Sequence, residues 1–203
     1  MNQQDRAVSS VIATILMVAI VVILAAAVSV SFFDVTENIR EPAPNIADTT
    51  GDFDVGAGGF QSDQIVRITH SAGDSVPIEE IEIIVRASGP DSDLPREARL
   101  VNLPSEGTDI DDRNIEGESD LIDQSSNPVG GSGPANLLIT SQDPNVWSAG
   151  KTIQFRIPTG GADFRKGEDI PLSGLNGPDA DELEITIVHT PSNAIISEHT
   201  FRS

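Results

Sequence analysis

Three histidines, His70, His189 and His199, are the side chains of this sequence best suited to moving a proton near neutrality. Each sits in or at the end of an alternating apolar–polar stretch. No His-x-x-x-His spacing sets two of them on one helical face for a metal, so they are expected at the surface or rim of a β-structure. Serines are plentiful, yet no Gly-x-Ser-x-Gly elbow occurs. Gly56-Ala57-Gly58-Gly59 lacks the lysine and the following helix that a phosphate loop needs, and reads as turn glycines. With no cysteine, thiol nucleophiles, disulfides, iron–sulfur clusters and thiolate zinc sites are excluded. The sequence therefore assigns no catalytic, cofactor-binding or metal-ligating residue, and an enzyme is not expected.

Acid clusters are the remaining constellation. Asp109-Ile110-Asp111-Asp112-Arg113-Asn114-Ile115-Glu116 and Asp179-Ala180-Asp181-Glu182 carry carboxylates of the kind calcium takes. Neither follows the EF-hand order, because Arg113 falls where an oxygen ligand belongs and the glycine is misplaced. The competing reading is that acid covers the whole surface. The chain has 203 residues, 32 of them Asp or Glu against 12 Lys or Arg, for a formal charge of -20. Lys151 and Lys166 are its only lysines. This balance excludes nucleic acid as a partner, since phosphate contacts need clustered bases. It resembles the composition of secreted halophile proteins, in which solvated carboxylates meet concentrated salt. At 1 M salt the Debye length falls to about 3 Å and the mutual repulsion is screened. Thermal stability should therefore rise along a salt titration; equal melting in dilute and concentrated salt would contradict this.

The charge is not spread evenly. Before residue 34 the charged side chains are Asp5 and Arg6, which cancel, so the whole excess lies beyond. Every glycine and proline lies at or after Pro42. Val8 to Phe33 holds no charge, proline or glycine, and its polar residues are Ser9, Ser10, Thr14, Ser29 and Ser31. As a helix at about 1.5 Å per residue it spans roughly 39 Å, against about 30 Å of bilayer hydrocarbon. Its β-branched residues favour strand in water, but in lipid the backbone must satisfy its own hydrogen bonds and helix wins. A cleaved secretory signal would be shorter and more basic at its start. Ala25-Ala26-Ala27 offers a cleavage site for one, but the apolar run continues past it to Phe33. Arg6 before the helix and acids after it favour an N-terminus inside.

Asp5-Arg6-Ala7-Val8-Ser9-Ser10-Val11-Ile12-Ala13-Thr14-Ile15-Leu16-Met17-Val18-Ala19-Ile20 closely resembles the start of archaeal type IV pilins, haloarchaeal ones especially. The resemblance implies a short leader, residues 1–7, removed by a membrane-embedded prepilin peptidase. Arg6 and Ala7 would precede the cut and Val8 would begin the mature chain, with a cut one residue earlier as the alternative. It further implies polymerisation with itself or other pilins through residues 8–35, into a surface filament serving adhesion. A separate assembly ATPase and a membrane platform protein would drive extrusion. Two departures stand out. Ser10 replaces a frequent proline, which leaves the helix start less fixed. Ile12 stands where bacterial-type pilins carry a glutamate, so no charge there guides docking.

Small residues four apart, Ser9 with Ala13, Ser10 with Thr14, Ala25 with Ser29 and Ala27 with Ser31, permit close helix approach. A lipid-facing helix with chance small residues has the same spacing. Beyond a linker at residues 36–50, in which Pro42 and Pro44 break the helix, β-like runs appear. They are Gln64–His70, Glu80–Arg86, Ala98–Leu103, Asn136–Thr140, Lys151–Ile157, Glu182–His189 and Ala194–Phe201. Turns at Ser71–Asp74, Ala149-Gly150 and Thr190–Asn193 separate them. The fold class is α+β: a long N-terminal hydrophobic helix, then an acidic head, residues 51–203, as an antiparallel immunoglobulin-like β-sandwich. Residues 104–135 read as a solvated insertion with little structure. Trp147 is expected in the core or at its rim. No Asn-x-Ser/Thr sequon occurs. The rival functions are a monomeric, single-pass membrane-anchored binding protein and an exported calcium-dependent or hydrolytic domain.

Overall fold

The computed structural model describes residues 3–37, 42–55, 64–103, 110–124, 145–165 and 177–203. The chain divides into two compact units, Met1–Glu41 and Pro42–Ser203. The first is a single helix, α1, Gln3–Glu37. It starts ahead of Val8 and runs on past Phe33, the end of the apolar run, to Glu37; no glycine or proline interrupts it.

The second unit is all β. Its strands are β1 Ile46–Val55, β2 Gln64–Gly73, β3 Val76–Pro77, β4 Ile81–Ser88, β5 Arg96–Leu100, β6 Ile115–Gly117, β7 Val146–Trp147, β8 Thr152–Ile157, β9 Glu182–His189 and β10 Ala194–Arg202. They form a three-stranded sheet β1-β2-β8, a five-stranded sheet β10-β9-β4-β5-β6 and a small pair β3-β7. All these pairings are antiparallel.

Period-two alternation decides which side chains meet. Val66 and Ile68 of β2 with Ile153, Phe155 and Ile157 of β8 form one inner face. Ile81, Ile83, Val85 and Ala87 of β4, Leu183, Ile185 and Ile187 of β9, and Ala98 and Leu100 of β5 form the other. The two faces close one continuous core, and Trp147 is fully buried in it, as expected. The β9–β10 hairpin turns where Thr190–Asn193 foretold, with Asn193 at φ 54°, a left-handed position that asparagine tolerates.

Four readings need correction or completion. The linker stretch ends in ordered strand: β1 begins at Ile46, and its register runs from Ile46 opposite Gly73 to Val55 opposite Gln64. Gly51 and three aspartates had masked its alternation. For the same reason Ser71, Ala72 and Gly73 belong to β2 rather than to a turn. The stretch 104–135 is not featureless, because residues 110–124 are folded onto the head. Ile110, Leu121 and Ile122 are buried, and β6 pairs with β5. A few apolar anchors there outweigh a polar surrounding composition. Gly161 fits so closely that an added Cβ would lie 2.1 Å from the Asp120 carbonyl oxygen. The run Asn136–Thr140 lies outside the described residues.

Candidate functional site

Along α1, Val11 to Ser29 form a span of 19 residues with mean hydropathy 3.2 and none of them buried. Its length, about 28 Å, approaches the hydrocarbon thickness of a bilayer. Apolar residues point outward in every direction: Ile15, Met17, Val18 and Ile23 are each more than 60% exposed. The described exposed large apolar side chains are this helix's twelve plus Ile195. Each is worth roughly 1.5–3 kcal/mol when fully removed from water. Twelve together rival the whole stability of a domain, about 5–15 kcal/mol. Such a surface is not viable in water, and lipid or other helices must cover it.

Two hydroxyls on the helix, those of Thr14 and Ser29, are internally satisfied. Thr14 Oγ1 donates to the Val11 carbonyl at 2.8 Å, and Ser29 Oγ to the Ala25 carbonyl at 2.8 Å. Neither then needs water, which suits them to a dry bundle. Of the small residues singled out, Ala13, Thr14, Ala25, Ala27 and Ser29 lie in the exposed span; Ser9 and Ser10 lie on the helix just before it and Ser31 just after it. At about 100° per residue, positions 9, 13, 27 and 31 fall within about 40° of one another, whereas positions 10, 14, 25 and 29 spread over about 100°. Arg6, Ala7 and Val8 lie within the first turns of α1, with no break in the backbone between them.

Among the described residues, several polar groups of the head are used internally. His70 and His189 are buried, not at the surface, because both occupy inward positions of their strands. The His70 ring lies 5.0 Å from the Trp147 ring, and its Nε2 is 3.1 Å from the Ala72 carbonyl. His189 Nδ1 is 2.8 Å from Ser192 Oγ, and its Nε2 is 3.4 Å from Glu80. Alternation would have shown this: both follow the apolar side of the pattern. In the first acid cluster Arg113 Nη2 meets Asp111 Oδ2 at 2.6 Å and holds that carboxyl below its ordinary range through hydrogen bonds. In the second, Arg202 takes Glu182 at 2.7 Å. Among the described residues no three His, Asp or Glu are placed to share a metal ion. A cleft of about 320 Å³ on the five-stranded sheet is lined by Glu79, Glu82, Glu116 and Asn102. Arg99 bridges Glu82 and Glu116 across its rim.

Two features lay beyond residue patterns. Gln64 is a fully buried hub: its Nε2 donates to the carbonyls of Ala162 at 2.7 Å and Ile157 at 3.2 Å, and its Oε1 accepts from the Phe164 N–H at 2.7 Å. Thr49, Ser197 and His199 meet where β1 approaches β10.

Comparison with known protein families gives one match. Residues 6–47 fit the family described as Archaeal Type IV pilin, N-terminal. The match takes in the exposed apolar span and ends at the start of β1. No curated protein matches the chain.

Proposed function

We propose, from the premise that this chain is an archaeal type IV pilin by its N-terminal domain, that it is the subunit of a surface filament that polymerises through α1. That family is one of structural proteins. The precursor sits in the membrane through the apolar span, and a prepilin peptidase removes residues 1–7 after Arg6 and Ala7. Residues from Val8 to about 35 then pass from lipid into the filament core. The exchange is nearly neutral in free energy, because lipid tails and packed aliphatic side chains are about equally apolar. A membrane platform and an ATPase supply the direction. The acidic head remains outside, where adhesion is its use.

One observation carries this reading: the apolar span is exposed on every side and leaves all of its surface for covering. A monomeric anchor would share that span, so processing separates the two. In cells producing Arg6→Glu or Ala7→Glu, the protein should keep residues 1–7 and vanish from sheared surface fibres. N-terminal sequencing of wild-type fibres should begin at Val8, or one residue earlier. Fibres that form normally from the unprocessed variants would leave the anchor as the better account.

A further inference from the structure

The two large sheets meet at one side through their edge strands, β1 and β10. There Thr49 Oγ1 lies 2.8 Å from Ser197 Oγ and 3.0 Å from His199 Nε2. Ser197 is buried, while Thr49 and His199 are half-buried. Gly51, two residues along β1, makes room for the ring: a Cβ there would stand 2.7 Å from His199 Nδ1 and 2.8 Å from the Phe201 ring. Phe201 stacks on the imidazole at 6.1 Å and 16°. The ring is thus walled by backbone on one side and by an aromatic face on another.

We propose that Thr49, Ser197 and His199 form a proton-operated latch that fastens the first strand of the head, β1, to the last, β10. With the imidazole neutral, the Thr49 hydroxyl is shared between the ring and Ser197, and the latch is closed. Protonation places a cation in a half-desolvated slot, with backbone and Phe201 where water should be. The ring then gains hydration by swinging outward, and Thr49 is released. β1 keeps its ladder to β2 and the contact of Phe53 with Phe201, 5.7 Å between ring centres, but loses its polar hold on β10. Because β1 is the first strand after Pro42, an acidic medium loosens the part of the head nearest in sequence to α1.

The charged and titratable neighbours are few among the described residues. On β1, Asp48 acts on the ring and favours its charged form, but desolvation is the larger influence and holds the pKa below the ordinary 6.5. On β9 the register partner of His199 is the uncharged Ile185. On β2 the register partner of Thr49 is the buried His70, and on β10 itself Glu198 is exposed on the opposite face. A depressed histidine means that the unfolded or released ring binds its proton first as pH falls. Stability from the latch is therefore complete above 6.5 and is lost as pH falls through the lower, folded value.

Hydrogen exchange on the full-length protein in detergent micelles, at constant high salt, tests this at pH 8 and pH 5. After correction for intrinsic rates, amides of Ile46–Phe53 should exchange roughly three- to tenfold faster at pH 5. His199→Gln keeps a polar partner for Thr49 without titrating, and should abolish that difference. Thr49→Val keeps the branched shape without the hydroxyl, and should exchange fast at both values. Equal β1 protection at both pH values in the wild type would overturn the latch. So would a pH difference that persists in His199→Gln, which would move the effect away from this ring.

Discussion

Cells producing the Ile20→Asp variant should carry no surface fibres, and little of the protein should remain in their membranes. Ile20 is at the centre of the Val11–Ser29 span and is 57% exposed in the isolated chain. An aspartate there costs about 2.5–3.5 kcal/mol of membrane insertion, in addition to the lost isoleucine, worth about 0.3–0.6. The larger penalty comes at assembly. A carboxylate in a dry helical bundle has no partner from this span, which contains no Lys, Arg or His. Ile20→Leu removes nothing that either environment needs and should assemble normally. Electron microscopy of sheared material reads the result, with membrane fractionation beside it. Wild-type fibre levels in Ile20→Asp would mean that α1 does not form the filament core.

The largest loss of head stability is expected from Gln64→Leu. The volume is nearly conserved, so packing changes little. What changes is polar satisfaction: the Phe164 N–H and the Ala162 carbonyl lose a buried partner. Each buried group left unpaired costs about 1–3 kcal/mol, so the sum is about 2–6 kcal/mol. Trp147, the single tryptophan and fully buried, reports head unfolding by fluorescence. The urea midpoint should fall with an unchanged slope, which marks a stability change rather than a different unfolded state. Gln154→Leu is the control. That side chain is half-buried and accepts from Arg67 Nε at 3.0 Å, with water available to replace it. It should cost less than about 1 kcal/mol. Equal losses in the two variants would show that burial of Gln64 contributes nothing special.

Legibility of this chain follows the range of the forces involved. The helix across Val8–Phe33 and its need for an apolar surrounding follow from composition alone, whereas its start at Gln3, within residues 1–7, does not. An uncharged run without glycine or proline has no other stable state in lipid, wherever the rest of the chain goes. Strands β2, β4, β8, β9 and β10 were likewise legible, because alternation is a local property that a buried sheet face enforces. Reading failed where a local signal was weak but a distant partner was strong. β1 has glycine and aspartates on its outline, yet β2 gives it a full ladder. Residues 110–124 look like solvated loop, yet Ile110, Leu121 and Ile122 find an existing core.

The amino-acid order alone thus settled that one segment is too apolar to stand in water and that an acidic, strand-rich head follows it. Tertiary structure alone decided which polar side chains became neighbours. Gln64 lies 100 residues from Phe164, and Thr49 lies 150 from His199, so no spacing rule connects them. Hydrophobic burial acts on each residue singly and leaves its trace in sequence. A hydrogen bond needs two groups within about 3 Å, and only the closing of the two sheets brings such pairs together.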